Sequence, residues 1–340
     1  MYELSVSRKE IGRTGDRLVN SYNQRTTYLD DDVNILHEWR MCHVYPLEQM
    51  VKYLDRESKL VCANALVSSR IKRLPSIVGK LARFTNMNLS KMQDLGGCRA
   101  IVDDIDQVYT IRNNILNLKF HHEFKREDDY ILNTKESGYK SLHLVYAFKN
   151  TKYPLLNGLK IEMQLRTAIQ HSWATAVEMV GIFRRESLKS NMGDPRWLRF
   201  FILVSDLFYQ IESKDNTLRK SHNMTSEELK QLSRDLNVSQ VLNAFSQIAE
   251  HISQSDQYIN GYCVIVVDTD NRKIDVKTFP SQFSKKASQF YLEQERLCAS
   301  NSHKVAAMVS VSSLHELKTA YPAFFLDTKT FINNLNKFIY

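Results

Sequence analysis

Long apolar runs are missing from this 340-residue chain. The strongest, Phe200-Phe201-Ile202-Leu203-Val204, stops at Ser205-Asp206, far short of the roughly 20 residues that cross a bilayer. The opening MYELSVSRKEIGR has no secretory pattern, so the sequence predicts a cytoplasmic protein with no membrane partner. Glycine and proline are scarce, at 10 and 6 residues, which excludes collagenous, low-complexity and loop-dominated chains. The five cysteines stand far apart without a CxxC, and Cys42-His43 is too cramped for one ion. Neither a disulfide framework nor a structural zinc is expected, only reduced thiols packed as small apolar residues. What is present, 43% hydrophobic and 25% charged residues, belongs to a globular protein, and the length suits a main domain with an appended one.

The net charge of +8 is unevenly placed. Residues 231–340 hold 11 Lys and Arg against 10 Asp and Glu, so seven of the eight positive charges belong to residues 1–230. Lys59, Arg70, Lys72, Arg73, Lys80, Arg83 and Lys91 fall within positions 58–93, where no acid occurs. Such a field suits polyphosphate or nucleic acid, but a charge run by itself is more often a solvated helix face.

Residues 1–30 read as a polar, poorly packed lead-in. Helical spacing then predicts two helices between Asp32 and Leu54, a third from Leu60 to Arg70, and one opened by Pro75 from Ser76 to Phe84. Ala100-Ile101-Val102, Leu142 to Phe148 and Leu159 to Arg166 read as strands, with helices over Gln107–Leu118, Ala168–Phe183 and Trp197–Leu218. This is an α/β fold: a mixed β-sheet domain surrounded by helices over residues 31–220. The polar stretch Lys214 to Ser226, with a capping box at Thr225, marks a boundary. Beyond it, residues 221–340 predict a small ββαβα domain: a hairpin from Tyr262 to Phe279, a helix near Ser281–Cys298, a strand Val305–Val311 and a capped helix from Ser313.

Arg70, Lys72, Arg73, Lys80 and Arg83 surround Ser76 at a helix start, an array suited to a triphosphate. GxxxxGK[ST] is absent, so the site is not a P-loop. Asp94 and Glu162 each sit at the edge of a predicted strand. They read either as a turn cap and a solvent-facing acid or as a pair converging on Mg²⁺. Tyr139, after Gly138 and before Lys140, reads as a base-stacking platform or as a half-buried strand end.

In order and spacing, RxKxxxSIxxKL, DLGGCRAIV, DDYIxxxKxSGYKSLH and GLKIEMQLRTxxQHxWA resemble the synthetase domain of the RelA/SpoT alarmone synthetase superfamily over about Ile35 to Ser205. The resemblance implies a stand-alone synthetase that moves pyrophosphate from ATP to a ribose 3′-hydroxyl. It assigns Arg70, Lys72, Ser76, Lys80, Arg83 and Arg99 to ATP, Asp94 and Glu162 to Mg²⁺, and Glu162 also to general-base work. Tyr139, Lys140, His143, Gln164, Arg166 and His171 would line the acceptor half. One departure is the acidic Asp128-Asp129 where many members carry a lysine; an acid there disfavours an acceptor phosphate nearby, although acidic versions also occur in monofunctional alarmone synthetases. The lead-in from Trp39 to Leu47, the stretch Ala174 to Glu178 and the tail AYPAFFLDT are similar to the fused toxic small alarmone synthetases of the CapRel group. In that group a cysteine-free, zinc-finger-like tail acts as an antitoxin until a phage capsid protein is sensed. The likeness implies an autoinhibitory element at Tyr321 and Phe324, although these residues read equally as packing within the tail. Two acceptors follow as expectations, the 3′ end of tRNA, with Lys52, Arg56 and Arg73 as outer contacts, and GDP or GTP. An inactive RNA-binding module is the third reading.

Overall fold

Alternation along the chain builds the sheet. In Lys160–Thr167, Ile161, Met163 and Leu165 are buried while Lys160, Glu162 and Gln164 are half-exposed, the period of a strand with one face on a core. A computed structural model describes residues 5–184, 186, 188, 191–213, 222–239, 241–242, 258–268, 271, 273–299, 304–313 and 328–339. Their elements run α1 (Arg8–Gln24), α2 (Asp30–Cys42), α3 (Val44–Val61), β1 (Leu66–Ile71), α4 (Leu74–Arg83), β2 (Gly96–Val102), α5 (Ile105–Asn117), β3 (Glu123–Asp129), β4 (Leu142–Ala147) and β5 (Lys160–Thr167). They continue with α6 (Ala168–Arg184), α7 (Pro195–Ser213), α8 (His222–Asp235), β6 (Tyr258–Asp268), β7 (Lys273–Pro280), α9 (Ser284–Ala299), β8 (Lys304–Ser313) and α10 (Lys329–Ile339).

The strands form one eight-stranded mixed sheet in the order β3-β4-β5-β2-β1-β8-β6-β7. Among the described residues only β2 and β5 run parallel. The strands of the C-terminal third join at β1, where Arg70 pairs with Val309 of β8. Two cores hold the layers. The first packs α1 to α5 on the sheet and takes in Tyr262, Val264, Tyr291 and Met308; the second gathers α6, α7 and α8 with Phe331 and Leu335 of α10. The described residues of 221–340 therefore share the sheet and both cores with the rest of the described chain.

The N-terminal lead-in is a packed helix, contrary to its polar reading. Ser7 caps α1 by accepting from the Glu10 amide, and Arg25 closes it in the left-handed region. Its buried stripe contains Gly12, Thr14 and Gly15 beside Ile11 and Leu18, and a Cβ at Gly15 would stand 2.7 Å from the Leu89 Cβ. Packing through small residues leaves little apolar periodicity to read. The helix expected from Leu60 to Arg70 is instead the end of α3, a turn and β1; pairing on both edges, with β2 and β8, outweighs local propensity there. β3 escaped the sequence reading because it is an edge strand of charged residues without alternation. α8 begins at His222, ahead of the capping box expected at Thr225. The helix expected from Ser313 lies outside the described residues, as do Tyr321 and Phe324. Among the described residues no helix is long and apolar enough to cross a membrane.

Candidate active site

Register lines up one polar face across five strands. Arg70 pairs with Gly97 and Ser68 with Arg99; Gly97 then lies beside Glu162 and Arg99 beside Gln164. Gln164 is opposite His143 and Glu162 opposite Val145, while His143 and Val145 are opposite Asp128 and Arg126. Paired residues project to the same side. The alternate residues Cys98, Ala100, Ile161 and Met163 pack with Leu47, Met50 and Leu54 of α3 in the first core, so α3 covers the other face. On the polar face Ser68, Arg70, Lys72, Asp94, Arg99, Glu162 and Gln164 line one cleft.

Asp94 organises one half of it. Its Oδ2 accepts from Lys72 Nζ and Lys80 Nζ, each at 2.8 Å, whereas its buried Oδ1 has no hydrogen-bond partner. Burial pushes the carboxyl pKa up, but the two ammonium groups outweigh that and hold it below the ordinary value. Burial in turn lowers the Lys72 ammonium, against the pull of Asp94. Lys80 comes from α4, where Ser76, Lys80 and Arg83 follow at i, i+4 and i+7 and so share a helix face. Arg70 and Arg73 both reach Glu178 of α6 at 3.8 Å, tying the cation-rich loop to the opposite wall. Mg²⁺ fits this donor set, because it is held by one or two carboxylates and completes its shell with phosphates and water. Asp94 Oδ1 is a buried anionic oxygen with no protein donor, and the Glu162 carboxylate keeps lone pairs beyond its two hydrogen bonds.

The other half is a closed ring of hydrogen bonds. His143 Nδ1 lies 2.9 Å from Glu162 Oε1, and Gln164 Nε2 donates to Glu162 Oε2 at 2.6 Å. Arg166 donates to Gln164 Oε1 at 2.7 Å and to the Tyr139 hydroxyl at 2.6 Å, and that hydroxyl lies 2.9 Å from His143 Nε2. Burial disfavours a charged His143, but Tyr139 and Glu162 overcome it and raise its pKa to about 9. Burial likewise opposes ionisation of Glu162, yet His143 and Gln164 hold it well below the usual carboxylate range. Burial would raise Tyr139, and Arg166 with His143 reverses this, bringing it to about 7. The ring therefore fixes an ionised Glu162 on the cleft floor beside Gly97.

Several expected residues lie elsewhere. Tyr139 is 8% exposed, so it is not an open platform: Gly138, at φ +84°, turns its ring inward, where Arg166 stands 5.1 Å over it. Tyr130, edge-on to His143 at 5.2 Å, is the half-exposed ring at this end. Lys140 turns away, donating to Thr134 and lying 4.8 Å over the Tyr209 ring of α7. His171 is buried in the first turn of α6. Lys52 and Arg56 belong to α3, on the sheet face opposite the cleft, and Arg56 is paired with Glu57 at 2.8 Å. Of the three outer contacts, Arg73 alone lies on the cleft side. The sequence reading missed Ser68, Glu178 and Arg126. Arg126, which pairs with Asp128 at 2.7 Å, was hidden in the strand that lacked alternation.

Comparison with known proteins finds a family match over the same part of the chain. The region found in RelA and SpoT proteins matches residues 69–185, which include every lining residue of the cleft named above except Ser68. The GTP pyrophosphokinase YwaC of Bacillus subtilis is 27% identical over 166 residues, 44% of this chain and 77% of that protein. The GTP pyrophosphokinase YjbM of the same organism is 34% identical over 138 residues, covering 38% and 60% respectively. The GTP pyrophosphokinase of Escherichia coli K12 is 28% identical over 137 residues, and the chain spans 17% of its length. Among solved structures, the small alarmone synthetase 1 of Bacillus subtilis bound to its product pppGpp has 22% identity and a TM-score of 0.43, with 55% of this chain and 98% of that one covered.

Proposed function

We propose that the RelA/SpoT-type pyrophosphotransferase seated on this cleft moves the β,γ-pyrophosphate of ATP to a ribose 3′-hydroxyl, breaking the α,β-anhydride bond and releasing AMP, and that the acceptor is the 3′-terminal adenosine of tRNA. The observation that carries the chemistry is the convergence of Lys72 and Lys80 on Asp94, with Glu162 in the same cleft. Phosphoryl transfers of this kind need charge neutralisation and alignment more than covalent help. Lys72, Lys80 and the arginines take the triphosphate, and Glu162 accepts the proton of the acceptor hydroxyl. A strongly ionised carboxylate is a weak base, which suffices where the proton leaves late in a loose transition state. When bound at Asp94 and Glu162, Mg²⁺ supplies further neutralisation of phosphate charge.

The acceptor end supports tRNA through Asp128, which faces the cleft beside His143 with Arg126 already committed to it. A nucleotide 5′-diphosphate meets an acid there, whereas a tRNA terminus brings a single phosphodiester. In this reading the modified tRNA is no longer charged, translation stops, and the cell arrests in response to phage. The C-terminal segment holds the enzyme inactive through Tyr321 and Phe324 until a phage capsid protein displaces it, a reading that rests on the sequence resemblance alone. A second reading, synthesis of guanosine tetra- or pentaphosphate from GDP or GTP, is favoured by Lys135, whose ammonium lies 4.0 Å over the Tyr130 ring at the same end.

The test is incubation with γ-labelled ATP and Mg²⁺, offering deacylated tRNA, GDP and GTP separately beside a Glu162→Gln control. Label on tRNA that falls roughly 10²–10⁴-fold in the control supports the proposal. Label on guanine nucleotide alone replaces it with the second reading. Label on tRNA that survives in Glu162→Gln removes Glu162 from the chemistry.

A further inference from the structure

Helix α4 lacks a cap of its own. Arg73 at its N-cap position makes no side-chain hydrogen bond to the helix, although such caps normally satisfy one of the four open amides of a first turn. The missing acceptor arrives from far along the chain. Glu295 of α9 accepts from the Leu74 amide at 2.8 Å, while the fully buried Arg40 of α2 grips both its oxygens, at 3.0 and 2.7 Å. Arg40 also donates to the Lys72 carbonyl at 3.4 Å, and Tyr291 donates to Glu295 at 2.6 Å. One buried ion pair thus holds the backbone on both sides of Arg73, in the loop that presents Lys72 and starts the helix of Ser76, Lys80 and Arg83.

We infer that Glu295 is a positioning residue for the pyrophosphate donor: through its cap on Leu74 and its clamp with Arg40, the C-terminal segment sets the placement of the triphosphate-binding loop and hence the affinity for ATP. The inference rests on the donor site proposed above. It requires that the acceptor half be untouched, because Glu295 contacts only the donor loop, α2 and its own helix among the contacts described.

Removing Glu295 alone leaves a buried guanidinium without its counter-ion and endangers folding, so paired variants are compared. Arg40→Met with Glu295→Gln removes both charges and keeps an oxygen for the Leu74 amide. Arg40→Met with Glu295→Leu removes the oxygen as well. A lost cap predicts a KM for ATP roughly fivefold higher in the second pair than in the first, with the acceptor KM and kcat at saturating ATP equal in the two. Equal ATP KM values overturn the inference. The unmodified protein gives an independent readout, since coupling is reciprocal: a non-hydrolysable ATP analogue should slow amide exchange in α9 as well as in residues 72–83. Protection of residues 72–83 with none in α9 overturns the coupling, whereas binding that protects neither segment and survives Lys80→Ala overturns the donor site itself.

Discussion

Asp94→Asn separates two roles that one carboxylate performs. In the wild type both Lys72 and Lys80 are held on Oδ2 at 2.8 Å, so a triphosphate competes with the carboxylate for the charge of both ammonium groups. A hydrogen bond to a charged group contributes about 1.5–3 kcal/mol, and a neutral partner roughly half of that. Replacing the anion by an amide therefore weakens two such bonds. After water recovers part of the difference, about 1.4 kcal/mol remains, a factor of ten in affinity. Titration calorimetry in EDTA with a non-hydrolysable ATP analogue should show roughly tenfold tighter binding by the variant. With Mg²⁺ restored, turnover should fall by about 10³, because the buried anionic oxygen that suits the ion is gone. Weaker metal-free binding by Asp94→Asn would refute the reasoning, since Asp94 would then be holding the lysines in place for phosphate instead of competing with it.

Three other perturbations test the fold around the cleft. Gly138→Ala puts a side chain at φ +84° with its Cβ 3.1 Å from Ser205 and 3.2 Å from both Ile202 and Trp173, so it should cost about 2 kcal/mol in urea denaturation; an unchanged midpoint argues against a strained turn under Tyr139. Glu212, half-buried against Thr167 and Gln170, has its pKa raised by desolvation from 4.5 to about 7. A raised carboxyl contributes stability that is fully present below its unfolded value and lost as pH rises through the folded one. The melting temperature of Glu212→Gln relative to wild type should therefore improve between pH 5 and pH 8, and a gap independent of pH contradicts the burial effect. Truncation after residue 242 removes β8 from the edge of β1 and takes Tyr291 and Glu295 from Arg40, uncovering the first core there and leaving an open strand edge. The fragment should aggregate on gel filtration, and a soluble, active monomer would show that the segment is dispensable to the fold.

The active-site half of the sequence was legible because its chemistry and its periodicity coincide. Glu162, Gln164 and Arg166 alternate with buried residues on one strand, and Asp94 precedes the glycine pair that opens the next, so motif and strand pattern name the same side chains. Long-range charge pairing was not legible. Lys140 looks like a cleft residue from its place beside Tyr139, yet the chain turns at Gly138 and sends it toward Tyr209. Lys52 and Arg56 add to the same basic balance as Arg73, but a helix that packs on the far side of the sheet carries them away from it. Net charge counts residues without regard to the face on which they emerge.

The C-terminal third shows why a boundary in sequence is weak grounds for an independent unit. Its hairpin and helix patterns are clear, but its attachment depends on a strand that reads as helix: β1 takes β2 on one edge and β8 on the other. From that edge the described part of the segment touches the donor region where Val309 pairs with Arg70 and again where Glu295 caps Leu74. Arg70 and Leu74 bracket Lys72, the lysine bound to Asp94. A partner that pulls β8 or α9 away must therefore move the donor loop or leave it without two of its supports. Occlusion of the cleft by the tail and support of the donor loop by the tail predict opposite results when the contact is loosened: the first raises activity, and the second raises the KM for ATP.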